Sequence, residues 1–485
     1  MKEQIPRLRS AALGMTVLAA VFSICLAGVS SAELAKQIGG IISRPSQKKV
    51  QYSIHIVKAD SGKTVYSHNA GKSLLPASNM KIIITAAALK YLGPDYKYKT
   101  KIGLCGTYGT GTYGTSDTLV ITGSGDPLLG DKITDAKYGR KGSWIFENMA
   151  GVLKQNGITA IKDIIVDSSV FDDERVHPNW PKKELNRWYA CEVSGLNFNG
   201  NCIEVSAKTI GGKVAVSIEP ETDFIKVTNK VAAIQKGKSV VGSYRQPKKP
   251  NNIVVHGKCK KQAGPFAVAI ERPAAFFGYL LAENLTKAGI NTEGQLIEKP
   301  VGADCNVRVL AEYSTPIADC LARCNKDSFG LAAEALLKTI AGRVAPDRKN
   351  GSWAGGREVI SKYLLGLGSD GKEFYIDDAS GLSKQNKLSA NAITKVLFNV
   401  YKSKDWKLYK DSLAVGGVDG TIGKYFKEEK YKGKIFGKTG YVGGVKSFSG
   451  ICTTAGGEYI FSILANNATG QTRKAINDIA KAIFN

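Results

Sequence analysis

The chain has 485 residues, enough for two to four domains at ~100–200 residues each, with 43% hydrophobic and 22% charged residues and 53 Gly against 15 Pro. That usage excludes a collagen-like, coiled-coil or largely disordered chain. The 67 Lys and Arg against 42 Asp and Glu give a net charge of +25, which suits a polyanionic partner: nucleic acid, an anionic membrane surface or an acidic wall polymer.

Residues 1–32 join a basic start (Lys2, Arg7, Arg9), an apolar run from Ala11 to Gly28 and a small-residue end, Val29-Ser-Ser-Ala32. They read as a secretory signal peptide cut after Ala32, because the run is short for a bilayer span of ~20 residues. The expected location is therefore secreted, periplasmic or cell-envelope, with no stable membrane anchor after cleavage. Nucleic acid drops out as a partner.

A helical stretch from Glu33 to Ile42 precedes Gln51–Val57, which alternates as a strand does. A turn at Asp60-Ser-Gly62 then leads to Thr64–Tyr66, so a hairpin opens a sheet. Met80–Leu89 is apolar on every face and ends before Gly93-Pro94, so this helix belongs in the middle of a core. Residues 99–265 change texture to short β-like runs broken by Gly, Asn and Asp, a β-rich insertion of one or two domains. Within it, Gly106–Thr115 is a tandem five-residue repeat that reads as an exposed loop. Val240–Lys261 carries six Lys/Arg and no acid, which reads as a solvated basic face rather than a docking patch. Helices return at Arg272–Ala288, Pro316–Ile340, Arg357–Leu367 and Leu388–Tyr401. Strands Gly444–Thr453 and Tyr459–Ala465 follow, then an amphipathic helix, Thr472–Phe484, that reads as core rather than membrane-binding.

Apart from Cys25, eight cysteines remain (Cys105, Cys191, Cys202, Cys259, Cys305, Cys320, Cys324, Cys452), an even number in a chain bound for an oxidising compartment. Disulfides are expected, with the pairing open. Cys320 and Cys324 either staple one helical turn or stay two buried thiols. The sequence has no CxxC, and His55, His68, His177 and His256 are scattered without HExxH spacing, so neither a metal nor a cofactor is expected.

Ser78 opens the buried helix and Lys81 sits one turn on, on the same face. A serine hydroxyl is a weak nucleophile until a neighbour takes its proton. Lysine does so once burial among Met80 and Ile82–Ile84 favours its neutral form. Ser46-Gln-Lys-Lys49 matches the same string in a polar tract with no helix behind it. Near the other end, Lys438-Thr-Gly440 lies on a strand that turns at Tyr441-Val-Gly-Gly444. There Lys438 offers a cation to a substrate carboxylate, Thr439 a hydroxyl, and Gly440 room for a peptide backbone alongside. A Ser-His-Asp arrangement is the weaker reading, because no Gly-x-Ser-x-Gly elbow occurs and no histidine lies near a plausible nucleophile. Ser-x-x-Lys at a buried helix start followed late by Lys-Thr-Gly is the active-serine penicillin-recognising signature.

On these motifs the chain resembles the low-molecular-mass class C penicillin-binding proteins, the D-alanyl-D-alanine carboxypeptidases and endopeptidases of the cell wall. Further segments carry the likeness in order: Gly123-Ser-Gly-Asp-Pro127, Cys191-Glu-Val-Ser-Gly-Leu-Asn197, Asp378-Ala-Ser-Gly-Leu-Ser383 and Gly416-Gly-Val-Asp-Gly-Thr421. The resemblance implies an α/β (α+β) fold, an antiparallel sheet flanked by helices from residues 43–98 and 266–485, with the insertion 99–265 hung from one side. It implies peptidoglycan stem peptides as substrates and β-lactams as inhibitors that acylate Ser78. Lys81 is then the base, and the N–H groups of Ser78 and Tyr441 hold the oxyanion. Lys438 binds the terminal carboxylate, and Ser328 passes a proton to the leaving amine. Ser380, with Asp378 and Ser383, belongs to a loop facing the site; Glu334 caps or pairs within its helix, and Asp126 is a turn residue. The family's Ser-x-Asn motif is here Ser328-Phe-Gly330, so one contact to the substrate amide and one restraint on Lys81 are expected to be lost. The competing readings are a non-catalytic peptidoglycan-binding relative and a β-lactamase or esterase of the same fold.

Overall fold

The computed structural model describes residues 31–105, 118–246, 248–303, 305–344 and 350–485. The repeat Gly106–Thr115, and all but the last two residues of the signal-peptide reading, lie outside the described residues.

Both ends of the chain build one six-stranded antiparallel sheet, ordered Ala414–Val415, Ile435–Val442, Val445–Thr454, Gly457–Asn466, Gln51–Lys58, Thr64–His68. Gln51–Lys58 is buried on both faces, and its alternation sorts them. Tyr52, Ile54 and Ile56 join the helices Ser31–Ile42 and Thr472–Ala482 in one core. Ser53 and His55 meet the helix Ala390–Tyr401 on the other face, where the Ala390 N–H donates to Ser53 Oγ (3.1 Å) and His55 Nδ1 lies 2.6 Å from Thr394 Oγ1. Met80–Leu92 shares a core with this second face, and Gly330–Val344 and Trp353–Gly366 pack on Met80–Leu92. Every residue from Met80 to Leu89 is buried, Lys81 and Thr85 included, as a helix with apolar residues on every face has to be between a sheet and other helices.

The intervening chain forms a five-stranded sheet ordered Leu296–Glu298, Ile164–Asp167, Thr118–Thr122, Lys97–Cys105, Val307–Pro316, and two three-stranded sheets built from 202–269. Its core includes helices Trp144–Gln155 and Pro273–Lys287. Residues 291–316 pair inside this region, so the chain rejoins the six-stranded unit near Ile317, further on than the expected 266. The β-rich reading overlooked Trp144–Gln155, whose Ile145, Phe146, Met149, Ala150 and Leu153 follow helical spacing. In the basic stretch, Lys248, Lys249, Lys258, Lys260 and Lys261 are exposed, while Arg245 turns inward to donate to the Ala269 carbonyl at 2.8 Å.

Cys105 and Cys305 form a disulfide (Cα–Cα 5.6 Å) joining the strand Lys97–Cys105 to the chain that enters Val307–Pro316. The other six described cysteines are buried free thiols. Cys320 and Cys324 lie one turn apart on the helix Ile317–Lys326 and stay unlinked. The single helix expected over 316–340 is two, Ile317–Lys326 and Gly330–Val344, broken at Asp327-Ser-Phe329, where Ser328 has φ 62°. Among the described residues no helix is long and apolar enough to cross a membrane.

Candidate active site

Ser78 lies in the short 3-10 turn Ala77–Asn79 directly ahead of the buried helix. Ser447 Oγ donates to the Pro76 carbonyl (2.8 Å) and Asn79 Nδ2 to Ser449 Oγ (2.6 Å), which fastens the turn to the strand Val445–Thr454. Two glycines let other segments approach it. A Cβ on Gly440 would stand 3.0 Å from Ser78 N and 2.8 Å from the Pro76 carbonyl oxygen, and one on Gly381, at φ +82°, would fall 1.9 Å from the Ala77 carbonyl oxygen. Only glycine allows the strand Ile435–Val442 and the loop 377–383 to close on the serine from two sides.

Lys81 is buried. Its Nζ stands 3.2 Å from Ser78 Oγ and donates to the Ser380 carbonyl at 2.6 Å. Burial pulls its pKa below the usual lysine range, against the opposing pull of Cys324, Glu334 and Asp378. Facing it, Lys438 Nζ donates to Ser328 Oγ at 2.9 Å and to the Thr439 carbonyl at 2.7 Å. Burial, then repulsion from Lys81, holds its pKa well below normal. Thr439 Oγ1 donates to Thr421 Oγ1 at 2.9 Å. Ser78, Lys81, Ser328, Ser380, Thr439 and Tyr441 all line one cleft of about 610 Å³, and Tyr441 is 73% exposed at its mouth.

The loop that holds Lys81 is itself held. Glu334 accepts from the Ala379 N–H (3.0 Å), the Ser380 N–H (2.7 Å) and Trp353 Nε1 (2.8 Å), and burial with Asp378 nearby pushes its carboxyl up to about 7. The expectation that it caps or pairs within its own helix is corrected by these three bonds. Asp378 accepts from the N–H groups of Gly381 and Ser383, from Asn386 Nδ2, and from Trp180 Nε1 at 2.8 Å. Asp126 accepts from the Leu128 N–H, as a turn residue does, and also from Thr315 Oγ1. Residue reasoning missed Glu184, Trp188 and Tyr189, which the insertion contributes to the cleft wall; Thr421, the end of the resembling segment Gly416–Thr421, lines the cleft as well. The aromatic pair Trp188-Tyr189 in a polar stretch was a usable signal. At Gly330 the asparagine position is empty of side chain, and a Cβ there would meet the Tyr189 carbonyl oxygen at 3.3 Å.

A family model described as the D-Ala-D-Ala carboxypeptidase 3 (S13) family matches residues 34–484. A D-alanyl-D-alanine carboxypeptidase of Actinomadura sp. (strain R39) is 28% identical over 487 residues, covering 96% of this chain and 87% of that one. The crystal structure of penicillin binding protein 4 from Haemophilus influenzae shares the fold, with a TM-score of 0.76 at 21% identity over 93% of this chain and 98% of that one. The same protein complexed with a novel β-lactam gives a TM-score of 0.72 at 19% identity, with the same coverage.

Proposed function

The chain belongs to the D-Ala-D-Ala carboxypeptidase 3 (S13) family, and from that premise we propose that its serine-type hydrolysis of peptidoglycan stem peptides runs through an acyl-enzyme on Ser78. The observation that carries this reading is the contact of Ser78 Oγ with a buried lysine whose charged form is disfavoured, in a cleft also lined by Ser328, to which the buried Lys438 donates.

Lys81 takes the hydroxyl proton as Ser78 Oγ bonds to the carbonyl carbon of the penultimate D-alanine. The N–H groups of Ser78 and Tyr441 donate to the carbonyl oxygen as negative charge grows on it; loss of one such donor elsewhere costs about 10²–10³ in rate. The hydroxyl of Thr439 receives the terminal carboxylate, while the buried Lys438 holds Ser328 and the Thr439 carbonyl. The peptide C–N bond then breaks, and the proton reaches the departing amine through Ser328, which Lys438 orients. Water adds to the acyl carbonyl, the ester C–O bond breaks, and Ser78 regains its proton. β-Lactams present a similar acyl group and carboxylate, so they acylate the same oxygen. With a signal peptide over 1–32, the site of action is the cell envelope, and the catalytic unit is discontinuous around the insertion.

Labelled penicillin tests the assignment. The natural chain and Ser46→Ala are expected to become labelled, Ser46 being exposed, whereas Ser78→Ala is expected to stay unlabelled. Label retained in Ser78→Ala would overturn it.

A further inference from the structure

A second cavity of about 510 Å³ opens beside the strand Ile435–Val442, and it shares Thr421, Thr439 and Tyr441 with the catalytic cleft. Three cations enter its wall, Lys424, Lys446 and Arg473, and no Asp or Glu lines it. Arg473 is fixed in place: its guanidinium donates to the Gly440 carbonyl at 2.9 Å and to the Ser447 carbonyl at 3.2 Å. Lys446 Nζ donates to the Thr469 and Gly470 carbonyls, and burial followed by repulsion from Arg473 lowers its pKa. Lys424 is exposed, with its Nζ 5.3 Å from the Tyr425 ring centroid. Like charges gathered around a cavity without a carboxylate leave a positive potential that only an anion from outside can offset.

The position of the cavity says which part of a substrate reaches it. In the reading above, which this inference rests on and deepens, Thr439 meets the carboxylate of the residue that leaves, so substituents beyond that residue pass Thr439 and Tyr441 into the second cavity. We infer that this cavity binds the leaving-group side of the substrate and selects leaving groups carrying a further carboxylate, as a cross-linked second stem peptide does, over free D-alanine. A small leaving group with one carboxylate stops at Thr439 and gains nothing from Lys424 or Lys446. A longer anionic one adds ion pairs at both. The cavity therefore inclines this chain towards cleaving between stem peptides rather than trimming their ends.

The experiment uses matched peptides ending in D-Ala-D-Glu and D-Ala-D-Gln, equal in size and differing by one negative charge, with D-Ala-D-Ala as reference. The ratio of kcat/KM for the Glu and Gln peptides is expected to be about three to ten, the range that one or two partly exposed ion pairs give. In Lys424→Gln/Lys446→Met the ratio is expected to fall towards one. Arg473 is left in place because it holds Gly440. A ratio of one in the natural chain overturns the inference, as does a raised ratio that survives in the double variant. Equal losses on all three peptides would assign the lysines to the site at large and overturn the selectivity. Labelling by penicillin shows that each variant is folded. A natural chain that labels at Ser78 and turns over D-Ala-D-Ala, but has a ratio of one, fails this inference alone; one that does neither fails the underlying reading of function.

Discussion

Ala77 and Ser328 hold φ at 47° and 62°, a backbone region costly for residues with a Cβ, and both stand where the proposed mechanism needs a hydroxyl aimed. Lys81 needs no such strain, because i and i+3 spacing alone sets it beside Ser78. The serine, its lysine and Lys438 were therefore legible as strings. The acceptor that fixes Lys81, the Ser380 carbonyl, was not, since a backbone oxygen carries no residue identity and reaches the site from 299 positions away. That carbonyl supplies a restraint on Lys81 at the place where Gly330 supplies none, and the Tyr189 carbonyl already stands against the vacant position. Gly330→Asn is accordingly expected to leave kcat/KM on D-Ala-D-Ala peptides unchanged or lower, with a lowered Tm. A several-fold gain in kcat/KM would show that Tyr189 yields. In the proposed mechanism Lys81 is the base and must be neutral to act, so acylation by penicillin should rise with pH through its depressed pKa. The negative charge of Glu334 pulls that pKa upward. Glu334→Gln removes the charge and should move the midpoint of acylation rate to lower pH; a midpoint that does not move would separate the two groups.

At the level of elements, the break between Ile317–Lys326 and Gly330–Val344 makes the site, because it turns Ser328 towards Lys438 while the following helix carries Glu334 under the loop 377–383. From composition, residues 316–340 read as one uninterrupted helix: Asp327 and Ser328 are tolerated in helices, and no Pro marks the stop. The left-handed residue that breaks it is imposed by tertiary contacts, which sequence periodicity does not record. Glu334→Ala would strip three buried donors of their acceptor at about 1–3 kcal/mol each. It is expected to lower Tm by many degrees and to loosen Lys81, whereas Glu334→Gln, which keeps one acceptor oxygen, should lose much less. A mild Glu334→Ala, measured by thermal unfolding, would mean that the loop is held from elsewhere.

Across the whole molecule, the insertion is a wall of the site as well as an attachment. Trp180 donates to Asp378, Asn179 Nδ2 donates to Asp377, and Lys338 reaches back to Asp172 at 2.6 Å. The strand alternation and the apolar helix gave single elements and the family resemblance implied the antiparallel sheet with flanking helices, but this buttress could not be read, because its partners are single residues far apart in the chain. Trp180→Phe removes one buried bond to a carboxylate, worth about 1.5–3 kcal/mol, and is expected to slow acylation of Ser78. Trp144→Phe, which loses a similar bond to Asp135 on the short helix Lys132–Lys137, should lower Tm and leave acylation as it was. Equal slowing in both would mean that the insertion acts through its stability alone.

The pairing of Gln51–Lys58 with Gly457–Asn466 also sets an order in time. The five-stranded sheet is complete once Pro316 has been made and can lie opposite Lys97, whereas the first strand waits beside a single hairpin partner until almost the last residues emerge. Contacts so distant in sequence are slow to form. The molecule therefore matures from its middle outward, and a ribosome-bound chain ending ahead of Gly457 would carry a folded insertion beside a serine that has no site around it.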